Sequence, residues 1–172
     1  GMGLPTTAAY VVLAALGAPA LVSLGVPVLA AHLFIFYFGA ISNVTPPVSL
    51  AAYAAAGIAG AEPLRTAWTG LGLAAAGFLV PFAFVYGQGL LLAGPIWGVI
   101  LGIATGVAGV TALAAAVVGY ARRPLAAWER GVLAAAAVAL VFPGPWTDGL
   151  GLLALLVVTL RPAARNPSPA PG

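Results

Sequence analysis

Apolar residues dominate this chain in long runs, broken by short clusters of Gly, Pro, Ser, Thr and Arg. A run of about 20 apolar residues is what one helix needs to cross the hydrocarbon core of a bilayer. The pattern predicts a helix over residues 7–23, capped by Thr6 or Thr7 and softly interrupted by Gly17 and Pro19. A turn at 24–27 leads into an apolar segment over 28–57, longer than one crossing requires. A polar loop over 57–65 carries Gly60, Glu62, Pro63 and Arg65, with a short helical start into the next span. Glu62 reads as a solvated loop carboxylate, the alternative being a favourable charge at the first turn of that helix. One span is expected over 66–90, with Trp68 and Tyr86 near its ends and a kink at Pro81. A turn at 93–95 separates it from a span over 96–120, where Gly102, Gly106, Ala108 and Gly109 predict close helix packing. Two shorter apolar segments, 125–142 and 150–160, flank a turn over 143–149 and form either short crossings or an incomplete hairpin. Residues 161–172 are rich in Pro, Ala and Arg without periodicity and read as a disordered tail. The fold class is all-α: a polytopic membrane protein built as a helical bundle.

The segment over 28–57 contains its own interruption. Leu33 to Phe38 lie before it and Leu50 to Tyr53 after it, with Asn43-Val44-Thr45-Pro46-Pro47-Val48-Ser49 between. Proline removes a backbone donor and clashes with the preceding turn, so two in succession break the helix. Pro47 also pushes Pro46 out of helical geometry. The carbonyls released cannot be satisfied by lipid and must face protein, water or an ion. Ser42, Asn43, Thr45 and Ser49 add side-chain oxygens. A broken helix lined with oxygens near the midplane is how secondary transporters bind a small cation and a substrate. His32, alone near a helix end, reads as a hydrogen-bonded or interfacial residue.

Charge refines this picture. Charged residues make up 5% of the chain against about 25% in a soluble domain. The net charge of +3 comes from scattered arginines and is too sparse for a nucleic-acid surface. Arg65, Arg122, Arg123, Arg130, Arg161 and Arg165 all fall in loops or the tail. Counting crossings puts them on one side, which the positive-inside rule makes the cytoplasm. The absence of cysteine excludes disulfides and thiolate metal sites. Gly1 to Thr7 carry no basic segment, so no signal peptide is expected there. They open inside a turn motif, and the chain is expected to be the C-terminal part of a longer polypeptide. Glu62, Glu129, Asp148 and His32 form no catalytic cluster, which argues against a membrane-embedded enzyme. A structural subunit without a site would not require the oxygen-rich break.

Two motifs taken together resemble the large membrane subunit of TRAP transporters, the tripartite ATP-independent periplasmic transporters. They are Gly1-Met2-Gly3-Leu4-Pro5-Thr6-Thr7-Ala8-Ala9-Tyr10 and the Asn43 to Ala59 stretch containing Thr45-Pro46-Pro47-Val48 and Gly57-Ile58-Ala59. The closer resemblance is to fused permeases of the TAXI type. It covers residues 1–92, the C-terminal part of the transport domain, while 93–160 resemble the C-terminal membrane extension of those fusions. The resemblance implies sodium-coupled import of a small organic acid delivered by a periplasmic binding protein, across a bacterial or archaeal inner membrane. It implies an elevator motion and an inverted repeat, of which this chain holds a re-entrant hairpin arm and the Pro-Pro broken helix. The remainder of the fused permease and the lipid bilayer are further partners; no nucleic acid and no cofactor beyond the coupling sodium are expected. The implied sodium and substrate site comprises Gly1, Gly3, Pro5, Thr6 and Thr7 from the tip, with Gly39, Ser42, Asn43, Val44, Thr45 and Pro46 from the broken helix. Thr6, Thr7 and Asn43, then Thr45, are the expected side-chain contributors.

Overall fold

The computed structural model describes residues 4–142 and 144–161, with Gln88 described by its backbone alone. Among these residues the chain is all-α, and β pairing is confined to one isolated bridge between Tyr120 and Pro124. The helices are α1 (Thr6–Ser23), α2 (Val28–Ile41), α3 (Leu50–Ala59), α4 (Pro63–Ala74), α5 (Val80–Tyr86), α6 (Ile96–Val118), α7 (Ala127–Ala139) and α8 (Pro145–Leu160). Short 3-10 turns span Ser42–Val44, Ala75–Leu79 and Gln88–Leu91. Among the described residues, three stretches are long and apolar enough to cross a membrane: Thr6–Ser23, Pro63–Tyr86 and Ile96–Val118. Their exposed faces carry Val11, Leu16, Leu73, Trp97 and Val107, as expected of a protein whose solvent is lipid.

Helices α1 and α2 form an antiparallel pair. Gly25 turns the chain between them with φ +89°, a conformation that favours glycine. Tyr10 then meets Phe36 edge to face and hydrogen-bonds His32 Nδ1 at 2.9 Å, so His32 is a bonded packing residue. A Cβ on Gly17 would sit 3.2 Å from Ile35 Cδ1, and this close approach sets how tightly the pair can pack. An aromatic cluster fixes α2 against the next span: Phe34 and Phe38 both meet Phe82 edge to face, and Phe38 also meets Phe78.

Several boundaries differ from the sequence expectation, each for a local reason. Pro5, rather than Thr6 or Thr7, occupies the cap of α1, and no side chain caps it. Pro19 lies inside α1, which continues through it. Glu62 is no free loop carboxylate: it accepts from the backbone N–H groups of Leu64 at 2.9 Å and Arg65 at 2.5 Å, capping α4 with Pro63 as the first helical residue. The span expected over 66–90 therefore starts at Pro63, and the 3-10 stretch Ala75–Leu79 leads into Val80, where α-helix is restored with Pro81 in its first turn. The turn expected over 143–149 is shorter, because Pro145 starts α8 and Asp148 joins its first turn. The tail from 162 onward lies outside the described residues.

The close packing expected on α6 is present. A Cβ on Gly102 would lie 3.0 Å from Gly89 Cα, one on Gly106 would lie 3.2 Å from Leu90 Cδ2, and one on Gly109 would lie 3.4 Å from Leu140 Cβ. The partner of Gly102 is itself a glycine, so backbone meets backbone. Ala112, Ala116, Leu133, Ala137 and Val158 form the buried core of α6, α7 and α8. At 13 and 16 residues, α7 and α8 extend about 20 and 24 Å, short of a hydrocarbon core of about 30 Å.

Polar bonds close one end of this helix group. Glu129, 2% exposed, receives a two-pronged bond from Arg123 at 2.6 and 2.8 Å and the N–H of Ala126 at 2.9 Å. Arg161 stands 3.8 Å from the same carboxylate and over the Trp128 ring. Arg130 donates to the carbonyls of Ala116 and Val117 at the end of α6, where cations also favour the helix dipole. Leu79 packs against the core around Ala112 and Ala116, whereas Ala83 and Gly87 share a small hollow with Gly102 and Thr105, so the span Pro63–Tyr86 runs antiparallel to α6. The start of α4, with Arg65, therefore lies toward the same end of α6 as Arg122, Arg123 and Arg130.

Candidate functional site

The Pro-Pro motif ends α2 as its chemistry requires. The Asn43 carbonyl would find its helical donors on Pro46 or Pro47, and neither residue has an N–H. The helix tightens into a 3-10 turn over Ser42–Val44, and Thr45 turns extended at φ −99°, ψ 120°. Regular helix resumes at Leu50. The chain between is held by few bonds: Ser49 N–H to the Thr45 carbonyl at 3.1 Å, and Tyr53 O–H to the Pro47 carbonyl at 2.7 Å.

The antiparallel α1–α2 pair brings the start of α1 to this break. Asn43 Nδ2 donates to Thr6 Oγ1 at 3.0 Å across 37 residues of sequence. It also donates to the Ala40 carbonyl at 3.2 Å. Among the described residues, Asn43 Oδ1 accepts no hydrogen bond and stays available as a hard oxygen. Gly39 is buried on the face of α2 that meets α1, 4.0 Å from the Tyr10 backbone nitrogen measured from the position of a Cβ. The first N–H groups of α1 have no helical acceptor by geometry, and they lie at the Thr6 end that meets Asn43.

The other expected residues take distinct places. Ser42 Oγ donates to the Gly39 carbonyl at 2.7 Å and Thr45 Oγ1 to the Ile41 carbonyl at 3.0 Å. Both hydroxyl protons are thus committed to carbonyls of the preceding turn, while their lone pairs remain. Pro46 borders a cavity of about 350 Å³ with Ser42, Thr45, Phe38 and Phe78. Val44 faces a different hollow between α3 and α4, together with Thr66 and Thr69. Pro5 caps α1 and Thr7 is exposed at the same end. Gly1 and Gly3 lie outside the described residues.

Ser49 is the residue that sequence reasoning counted among the oxygens without assigning it to the site. It is fully buried, its φ is +37°, and its Oγ has no hydrogen-bond partner. A non-glycine residue in left-handed geometry carries strain that its surroundings must hold. An unpaired buried hydroxyl costs free energy as well. Both costs fall at the far edge of the break, immediately before α3. Among the described residues, no group of three or more His, Cys, Asp or Glu side chains could hold a metal. Any cation here would bind carbonyl, hydroxyl and amide oxygens, a donor set that suits a hard ion.

A polytopic helical membrane protein with an unwound, oxygen-lined segment facing a helix start is the class that fold and site define. The family model for the tripartite ATP-independent periplasmic transporter, DctM component, matches residues 1–99, more than half of the chain, and the chain belongs to this family. It is a permease component of a TRAP transporter. Comparison with curated proteins gives no match, and comparison with solved structures gives none.

Proposed function

We propose that this chain forms part of a sodium-coupled secondary transporter that imports a small organic acid handed over by a periplasmic binding protein. The observation that carries this reading is the Asn43–Thr6 hydrogen bond, which joins the start of α1 to the broken helix. Sodium is bound between these two walls by backbone carbonyls of the break and by oxygens of Asn43, Thr45 and Thr6. The N-terminal end of α1 faces the same space, and its dipole favours a substrate carboxylate. In this reading the chain acts with the remainder of a fused permease of the TAXI type. Residues 1–92 belong to a transport domain that moves as an elevator, and 93–160 are a membrane extension. The arginine end of the bundle faces the cytoplasm of a bacterial or archaeal cell.

The test is sodium-dependent uptake by the full-length permease in proteoliposomes. Asn43→Ala should raise the sodium concentration for half-maximal uptake at least tenfold, and Thr6→Val should do so to a smaller extent. Sodium dependence unchanged in both variants would remove this pair from the site.

A further inference from the structure

A groove runs along one face of α6, away from the broken helix. Its deeper part is a cavity of about 330 Å³ walled by Leu79, Phe84, Leu90, Val107 and Leu140. A second hollow of about 280 Å³ continues it between α6 and α8, beside Ala114, Val118, Tyr120 and Leu155. Thr111 borders both. Val107, Thr111, Ala114 and Val118 are spaced by four, three and four residues and so share one side of the helix.

The walls offer almost nothing to a polar ligand. The hydroxyls of Thr105, Thr111 and Thr159 donate to the carbonyls of Leu101, Val107 and Leu155 on their own helices. A trapped water needs two to four polar partners, and a polar solute would lose hydration without replacement. A hydrocarbon chain loses nothing there.

The outer end of the groove reaches Tyr120 and Ala121, and the next residue is Arg122. Its neighbours are committed, Arg123 to Glu129 and Arg130 to the Ala116 and Val117 carbonyls. Arg122 is exposed and, among the described residues, its guanidinium has no hydrogen-bond or ion-pair partner. An apolar slot that ends beside an uncommitted cation matches a ligand with an acyl chain and an anionic head.

We propose that this groove binds an anionic phospholipid, its acyl chain lying along α6 and its headgroup at Arg122. The site is independent of sodium coupling.

The test is native mass spectrometry of the membrane-purified protein, titrated with phosphatidylglycerol or phosphatidylcholine of matched chains. The parent should retain phosphatidylglycerol preferentially. Arg122→Gln should cut that preference about fivefold, the order expected for one arginine near an anionic headgroup. Val107→Trp, at a position 63% exposed, should lower retention of both lipids by filling the groove. Equal retention of both lipids by the parent, or an unchanged preference in Arg122→Gln, would overturn the headgroup assignment. Unchanged retention in Val107→Trp would overturn the groove itself. Both positions lie at the surface, so each variant should keep the helical circular dichroism of the parent.

Discussion

Asn43 and Glu129 are polar side chains with opposite relations to their surroundings. Asn43 uses its amide protons to tie α1 to the break and keeps an oxygen in reserve. Glu129 keeps nothing in reserve, since both its oxygens are occupied by Arg123 and one also by the Ala126 N–H. Removing one member of such a buried pair leaves the other uncompensated, which harms stability more than removing both. Glu129→Gln should therefore lower the thermal midpoint of the purified protein, and Arg123→Gln combined with Glu129→Gln should recover part of the loss. Fluorescence-detected unfolding in detergent measures both. The Glu129 carboxylate was visible in the sequence only as a loop charge. Its partner Arg161 lies 32 residues away, and only the return of α8 to the start of α7 brings them together.

Among the elements, the 3-10 turn Gln88–Leu91 meets α6 by backbone contact at Gly89 rather than by interdigitated side chains. A Cβ on Gly89 would lie 2.5 Å from the Gly98 carbonyl oxygen, and backbone cannot yield as a side-chain tip can. Gly89→Ala should destabilise the protein by about 1–3 kcal/mol, the usual cost of overpacking. Gly72, inside α4 with no atom within 4 Å of its virtual Cβ, is the control. Gly72→Ala should be neutral or slightly stabilising, because alanine favours helix over glycine. Thermal midpoints of the two variants should move apart, and coincident values would refute the backbone-contact account. The small residues of α6 were legible as a packing surface. Their partners at Gly89 and Leu90 were not, because a short 3-10 turn leaves no periodic trace.

At the scale of the molecule, the arginines offer a direct test of orientation. These 172 residues contain no cysteine, so they add no background to labelling at a single introduced cysteine. Arg65→Cys and Arg122→Cys should react with a membrane-impermeant maleimide only from the cytoplasmic side. Ala93→Cys, in the turn before α6, should react only from the outside. Labelling of Arg65→Cys and Arg122→Cys from opposite faces would contradict the antiparallel packing of the span Pro63–Tyr86 on α6.

The sequence by itself determined the solvent and the break. A charged fraction of 5% leaves lipid as the only medium able to cover so many apolar residues. Pro46 and Pro47 in succession leave the neighbouring Ser42 and Asn43 carbonyls without α-helical donors, because the missing N–H groups are a covalent fact. Tertiary structure decided what the break faces. Thr6 and Asn43 meet because a turn at Gly25 folds α1 back along α2, and Gly17 lets α1 pack closely on Ile35. It also decided the left-handed, unpaired Ser49, whose state depends on how α3 restarts after the prolines. Contacts between residues far apart in sequence arise from packing, and local pattern does not encode them.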